Sequence, residues 1–221
     1  RGTIAPGLFV PVAEDNGLMP LLTDRLIKNV IADMETLNSV DPGLTASINL
    51  GAAVLNDTEF PDALASMVDR CGQGRHRFVF ELTESKLIED SVDSMEVLAR
   101  LDLAGFELSL DDFGTQFSNI EQLTTFPFKE LKIDQRFVRM AAKDDRSKAT
   151  VASCVSLGRQ LGMRTVAEGI ETSEVWDLMT SLGVDRLQGY LIAKPMPIDE
   201  LFSWAKSHPV EFSQDQITAR L

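Results

Sequence analysis

Leu103-Ala104-Gly105-Phe106-Glu107-Leu108-Ser109-Leu110-Asp111-Asp112 is the stretch from which the fold can be read. It opens on the end of a helix capped by Asp90 or Ser91, with Val92, Met95, Leu98 and Leu101 on one face. Gly105 ends that helix, because glycine takes the left-handed conformation after a last turn at little cost. A strand over Phe106–Leu110 starts at once, and two carboxylates close it. The same joint recurs twice. Gln160-Leu161-Gly162 precedes a strand over Arg164–Ala167, and Ser181-Leu182-Gly183 precedes one over Asp185–Gly189.

Outward from there the alternation continues. Pro20 opens a helix with Leu22, Leu26, Val30 and Met34 in a stripe, and Thr45–Asn49 reads as a short strand. A helix over about 61–69 leads to a strand over Phe78–Leu82, and Glu130–Ile133 is another strand. Val151, Cys154, Val155, Gly158 and Leu161 mark a further helix. Ser173 caps a helix holding Val175, Leu178 and Leu182, and Pro197 opens one holding Leu201, Phe202 and Trp204. Lys143-Asp144-Asp145-Arg146 reads as a solvated loop, and Gly72-Gln73-Gly74 as a turn. The reading yields six strands and about seven helices. Residues 1–208 form one domain, and 209–221 form a polar extension. Strand and helix in strict alternation imply right-handed crossovers and a parallel sheet. A doubly wound open sheet and a (β/α)₈ barrel both satisfy that pattern.

The polar residues favour the barrel. The strands end in Asn49, Glu81, Asp111 with Asp112, Lys132 with Asp134, Glu168 and Gln188. In a (β/α)₈ barrel all these ends share one face, where such folds keep their chemistry. A lone carboxylate after a strand is usually a helix cap or a solvated charge. Adjacent Asp111 and Asp112 repel one another unless a cation lies between them.

Composition narrows the chemistry. The net charge of −13 and pI near 4.6 argue against binding a nucleic-acid polymer, which needs Lys and Arg against phosphate. Two cysteines, Cys71 and Cys154, read as reduced, packed thiols of a cytoplasmic protein. Only His76 and His208 are available to a zinc site, so zinc is disfavoured. No stretch is apolar for long enough to span a membrane, and no membrane contact is expected. Carboxylate and amide oxygens favour Mg²⁺ or Mn²⁺, with Ca²⁺ as a non-productive, inhibitory occupant. Asn49, Glu81, Asp111, Asp112 and Glu168 are more ligands than one ion needs. Two ions suit displacement at phosphorus, and Lys132 would then orient the attacking water and stabilise transition-state charge.

The motifs Ser47-Ile48-Asn49-Leu50, Glu81-Leu82-Thr83-Glu84-Ser85, Leu110-Asp111-Asp112-Phe113-Gly114-Thr115, Leu131-Lys132-Ile133-Asp134, Ala167-Glu168-Gly169-Ile170-Glu171-Thr172 and Gln188-Gly189-Tyr190-Leu191 occur in this order. By these the chain resembles EAL-domain cyclic-di-GMP phosphodiesterases from about Gly2 to Pro197. The resemblance implies hydrolysis of cyclic-di-GMP to linear pGpG in bacterial signalling. It implies that Asn49, Glu81, Asp111, Asp112 and Glu168 hold metal, that Lys132 holds the catalytic water, and that Glu171 acts beside it. Gln188 and Asp134 are placed on the substrate side, and Glu84 anchors the loop after Asp112. It also implies a homodimer and an upstream sensor, receiver or GGDEF domain. A dinucleotide receptor without catalysis is the alternative.

Two departures from the family pattern stand out. The Glu-Ala-Leu motif that names the family would lie just before Gly2, so an N-terminally truncated barrel with two unpaired edges is expected. Gln116 and Phe117 stand where the family has glycine and tyrosine, in the loop that couples metal binding to dimerisation in the resemblance.

Overall fold

Among the described residues, six strands lie side by side in one parallel sheet whose spatial order is the chain order: β1 (Ala46–Asn49), β2 (Phe78–Thr83), β3 (Glu107–Phe113), β4 (Glu130–Ile133), β5 (Arg164–Glu168) and β6 (Arg186–Gln188). The computed structural model describes residues 4–83, 92–114 and 120–207. Helices α1 (Pro6–Asp15) and α2 (Met19–Leu37) precede the sheet. Then come α3 (Ala52–Leu55) and α4 (Phe60–Arg70) after β1, α5 (Val92–Leu103) after β2, and α6 (Ile120–Thr125) after β3. Helices α7 (Gln135–Met140) and α8 (Asp145–Leu161) follow β4, α9 (Ser173–Ser181) follows β5, and α10 (Ile198–Ser207) follows β6.

A doubly wound sheet reverses strand order at a switch point. This one never reverses, so the open-sheet alternative is wrong and the winding is that of a barrel. Alternate residues of each strand separate two faces. Phe78, Phe80 and Leu82, Leu108 and Leu110, Leu131 and Ile133, Ala167, and Leu187 pack outward with helix residues such as Ile27, Leu64, Leu98, Val151 and Met179 in one core. Phe80 and Phe106 meet edge to face there, with centroids 5.5 Å apart. The opposite face carries Glu81, Ser109, Asp111, Glu130, Lys132, Arg164, Glu168, Arg186 and Gln188.

That polar face is concave. Side chains on alternate strands of a flat sheet stand nearly parallel on backbones roughly 9–10 Å apart. Here Lys132 of β4 reaches Glu81 of β2, Arg164 of β5 reaches Glu107 of β3, and Arg186 of β6 reaches Glu130 of β4. Each contact passes over an intervening strand. Outside the sheet, partial burial and the charge of Asp199 on α10 push the Asp33 carboxyl of α2 above its ordinary value, so Asp199 lies within electrostatic reach of Asp33. The fold is a parallel sheet curled into a TIM-barrel-like half barrel.

Several local expectations are corrected. Of Lys143-Asp144-Asp145-Arg146 only Lys143 and Asp144 lie in the joint, and Asp145 and Arg146 open α8. Asp144 caps it, accepting from Ser147 N at 2.9 Å and Ser147 Oγ at 2.7 Å. The cap of α9 is Thr172 rather than Ser173. The buried side of α2 is Thr23, Ile27, Val30, Ile31, Met34 and Leu37, so Leu26 is exposed. Met95 is exposed, while Val97, Leu98 and Leu101 are buried. Cys154 is buried, with its thiol pushed up to about 11, but Cys71 is exposed. Helices α1, α3, α6 and α7 were not anticipated. The cap of α5, the anchor Glu84, the loop residues Gln116 and Phe117, and the segment 209–221 lie outside the described residues.

Candidate active site

The strand register brings several of the expected residues to one mouth of the sheet. Asn49 is level with Glu81, Thr83 with Asp111, and Glu168 with Gln188. Lys132 projects into the concave face with 1% of its side chain exposed. A buried ammonium persists only when its charge is matched. Three carboxylates match it: Glu81 Oε1 at 2.9 Å, Asp111 Oδ1 at 3.0 Å and Glu168 Oε1 at 2.6 Å.

A bulge supplies the fourth carboxylate. Leu110 pairs with Leu131 and Phe113 with Ile133, so Asp111 and Asp112 together stand against Lys132 alone. Asp112 absorbs the extra residue at φ 58°, a left-handed value that Asp tolerates better than most residues. Its backbone N–H donates to Asp111 Oδ1 at 3.1 Å. A regular strand would turn the Asp112 position to the side of Leu108 and Leu110. The bulge gives that side to Phe113 instead, which joins the core.

Asp112 carries the electrostatic cost. Burial first, then the charges of Asp111, Glu168 and Asp134, push its carboxyl up to about 6. A hydrogen bond with Asp134, which the neutral form of Asp112 makes as donor, adds to the rise. Asp111, Asp112 and Glu168 bring carboxylate oxygens within 4.8 Å of one another. Four acidic groups round one ammonium, one of them pushed up to about 6, form a site short of positive charge. That donor set fits hard divalent cations. Asp134 has a further engagement: it caps α7, accepting from Arg136 N at 2.8 Å and Arg136 Nε at 2.9 Å. Asn49 is exposed on edge strand β1.

Glu171 and Gln188 lie beside this cluster. With Glu168 they line an open cleft of about 300 Å³, also bordered by Gln135, Arg139, Tyr190 and Lys194. Arg139 Nη2 donates to Glu171 Oε1 at 2.6 Å. Arg139 went unnoticed in the sequence, where it sits inside a helix too short to show a period.

A second unanticipated group lies one layer below. Glu130 Oε1 accepts from Ser109 Oγ at 3.1 Å, and Oε2 accepts from Arg186 Nη1 at 3.1 Å, with Arg164 Nε 3.8 Å away. Arg164 also pairs with Glu107. Burial pushes the Glu130 carboxyl up against the pull of Arg186, Arg164 and Ser109, with the charge of Glu81 adding to the rise. The signal available in the sequence was charged residues at inward positions of β4, β5 and β6.

The curled parallel sheet thus carries an acidic, lysine-centred cluster at one mouth, a donor set that suits hard divalent cations. Residues 1–195 match the EAL domain, and the chain belongs to that family. It is 36% identical over 204 residues to a signaling protein of Caulobacter vibrioides, covering 92% of this chain and 25% of that one. It is 34% identical over 203 residues to the cyclic di-GMP phosphodiesterase PdeL of Escherichia coli, covering 91% and 56%. The Pseudomonas aeruginosa MucR phosphodiesterase, solved as a c-di-GMP complex, superposes with a TM-score of 0.85 at 33% identity over 91% of this chain and 82% of that one. The chain thus spans between about a quarter and just over half of the length of these two curated relatives. Among the described residues no helix is long and apolar enough to cross a membrane.

Proposed function

We propose that this domain hydrolyses one phosphodiester of cyclic-di-GMP to linear pGpG with a pair of Mg²⁺ or Mn²⁺ ions held by Asn49, Glu81, Asp111, Asp112 and Glu168. The observation that carries this is Lys132 enclosed by Glu81, Asp111 and Glu168, with Asp112 bulged in beside them. When bound, the ions would supply Lewis-acid activation and charge neutralisation at phosphorus. Ca²⁺, larger and less demanding in geometry, would occupy the site and inhibit.

The chain's own residues do the rest. The Lys132 ammonium, exchanging one of its three carboxylate contacts, donates a hydrogen bond to the attacking water as charge builds at phosphorus. The water oxygen bonds to phosphorus and gives up one proton to solvent, the bond from phosphorus to the 3′-oxygen breaks, and that oxygen takes up a proton from solvent and leaves as a hydroxyl, so that one water is consumed in all. The product keeps its 5′-phosphate. Glu171, held by Arg139, and Gln188 orient the dinucleotide from the cleft. The same reading has the domain act in the cytoplasm as a homodimer behind a sensor, receiver or GGDEF domain.

The test is incubation of the protein with cyclic-di-GMP and Mn²⁺ or Mg²⁺, with chromatography of the products. Appearance of pGpG supports the reading. Binding of the dinucleotide without turnover would leave a receptor in its place.

A further inference from the structure

The concave face is built in two layers, and only the upper one belongs to the metal and phosphoryl chemistry. Three lower residues sit two positions before an upper one on the same strand: Ser109 before Asp111, Glu130 before Lys132, Arg186 before Gln188. The lower layer is tied by two chords. Glu130 of β4 and Arg186 of β6 pair at 3.1 Å over β5, and Arg164 of β5 pairs with Glu107 of β3 over β4. Glu130 is 1% exposed. A carboxylate so deep, with a hydroxyl and two guanidinium groups round it, is costly unless its geometry is held. Residues two apart on a strand point the same way, so a shift of β4 against β6 at the lower layer carries directly to Lys132 and Gln188.

We infer that Glu130 is a positioning residue: through Arg186 it fixes β4 against β6, and so sets Lys132 and the acidic cluster relative to Gln188 and the cleft. This rests on the phosphodiesterase reading for the chemistry it serves, but not for the contact itself. Among the described residues β6 is, like β1, an edge strand of the sheet, and it is only three residues long. It has neighbour strand β5 on one side alone, so a side-chain chord to β4 adds a constraint that backbone pairing does not provide.

The experiment compares wild type, E130Q, R186Q and the double variant in the full chain. Three quantities are read: melting temperature, kcat for cyclic-di-GMP, and Mn²⁺ affinity by calorimetry. Positioning predicts that both single variants lose at least tenfold in kcat and at least threefold in Mn²⁺ affinity. The double variant should be no worse than the poorer single, since either change breaks the same chord. Loss of melting temperature alone, with kcat and Mn²⁺ affinity within twofold of wild type, overturns the inference. Opposite effects on Mn²⁺ affinity, weaker in E130Q and tighter in R186Q, also overturn it, because that is a field effect without positioning. Should E130Q fail to fold, R186Q carries the test, as its side chain reaches the surface in part. Wild type that takes up Mn²⁺ without turnover defeats the proposed function only, and the Mn²⁺ affinities still decide the inference. Wild type that does neither defeats both.

Discussion

Lys132 Nζ lies 2.9 Å from Glu81 Oε1 although strand β3 runs between their backbones. The contact makes fold and site one fact. A flat sheet would hold these two groups on separate, parallel side chains, and the ammonium would meet only its nearest neighbours. Curling brings β2, β3 and β5 to Lys132 of β4, so that Glu81, Asp111 and Glu168, far apart in the chain, share one cation. The energetic consequence is a site with too much negative charge, and that excess is what a divalent ion would relieve.

Replacing the shared cation exposes that excess. Lys132→Met keeps an apolar stem and leaves Glu81, Asp111 and Glu168 without the ammonium. Breaking a buried ion pair from one side costs about 3–5 kcal/mol. For a domain of this size that is a fall in melting temperature of roughly 6–20 °C. Calorimetry of metal-free protein at pH 7 should show it, and millimolar Mn²⁺ should recover most of it. Turnover should drop by about 100-fold or more, since the charge-stabilising donor is gone. A melting temperature unmoved by the change would mean that the carboxylates do not depend on Lys132.

Asp112 gives the site a pH signature. Its carboxyl sits at about 6 in the folded protein, above the ordinary 3.8. The folded state therefore holds a proton that the unfolded chain has released between these values. Its contribution to stability is complete below the ordinary value and is lost as pH rises through about 6. Metal-free protein should melt higher at pH 5 than at pH 7 on this account. Asp112→Asn should flatten that slope and raise the pH 7 melting temperature by a few degrees, at the expense of Mn²⁺ affinity. Because binding requires the ionised form, wild-type Mn²⁺ affinity should fall between pH 7 and pH 5. Calorimetric titrations at several pH values check both halves. An unchanged slope in the variant would assign the effect to other groups.

What could be read in advance and what could not follows from how each feature is encoded. β4 was bounded correctly at Glu130–Ile133 because an apolar pair flanks Lys132 and a proline-containing joint precedes it. The polar strand ends were legible because they recur at the same step of a repeating unit. The bulge was not: Asp111 and Asp112 read alike in either register, and only pairing with β4 shows that both oppose Lys132. Glu130 and Arg186 are 56 residues apart and meet over a strand, so no local pattern joins them. Helix α7 has only six residues, too few to display a period. Helix α1 carries Pro6 and Pro11 and exposes Leu8 and Val12, so it lacks both the cap and the stripe that announce a helix.

The Arg139–Glu171 pair separates binding from stability. Both side chains are nearly half exposed, and such pairs contribute about 0–1 kcal/mol. Arg139→Gln should leave the melting temperature within about 2–4 °C of wild type. The pair nonetheless forms one wall of the cleft that Gln188 shares. Freed from Arg139, Glu171 loses its fixed position, and kcat/KM for cyclic-di-GMP should fall roughly tenfold, about 1.4 kcal/mol of transition-state binding. Steady-state kinetics beside a melting curve decide the matter; an unaltered kcat/KM would remove Glu171 from the working site.

Gly189 is the tightest steric test of the cleft. A Cβ there would lie 2.1 Å from Ile170 O and 2.2 Å from Ile170 N. These are backbone atoms already committed: Ile170 N donates to Gln188 O at 3.0 Å, and Leu191 N donates to Ile170 O at 3.0 Å. They cannot swing aside as a side chain could. Gly189→Ala must therefore push the segment after β6 away from the segment after β5, breaking those bonds and displacing Gln188 from Glu168. Overpacking of this kind costs about 1–3 kcal/mol, and cyclic-di-GMP binding by calorimetry should weaken by at least tenfold. Gly7→Ala in α1 is the matched control. A Cβ there meets nothing within 4 Å, and alanine in a helix is favoured by up to about 1 kcal/mol. Its melting temperature should hold or rise while binding stays unchanged. Equal behaviour of the two variants would show that the close approach at Gly189 does not shape the cleft.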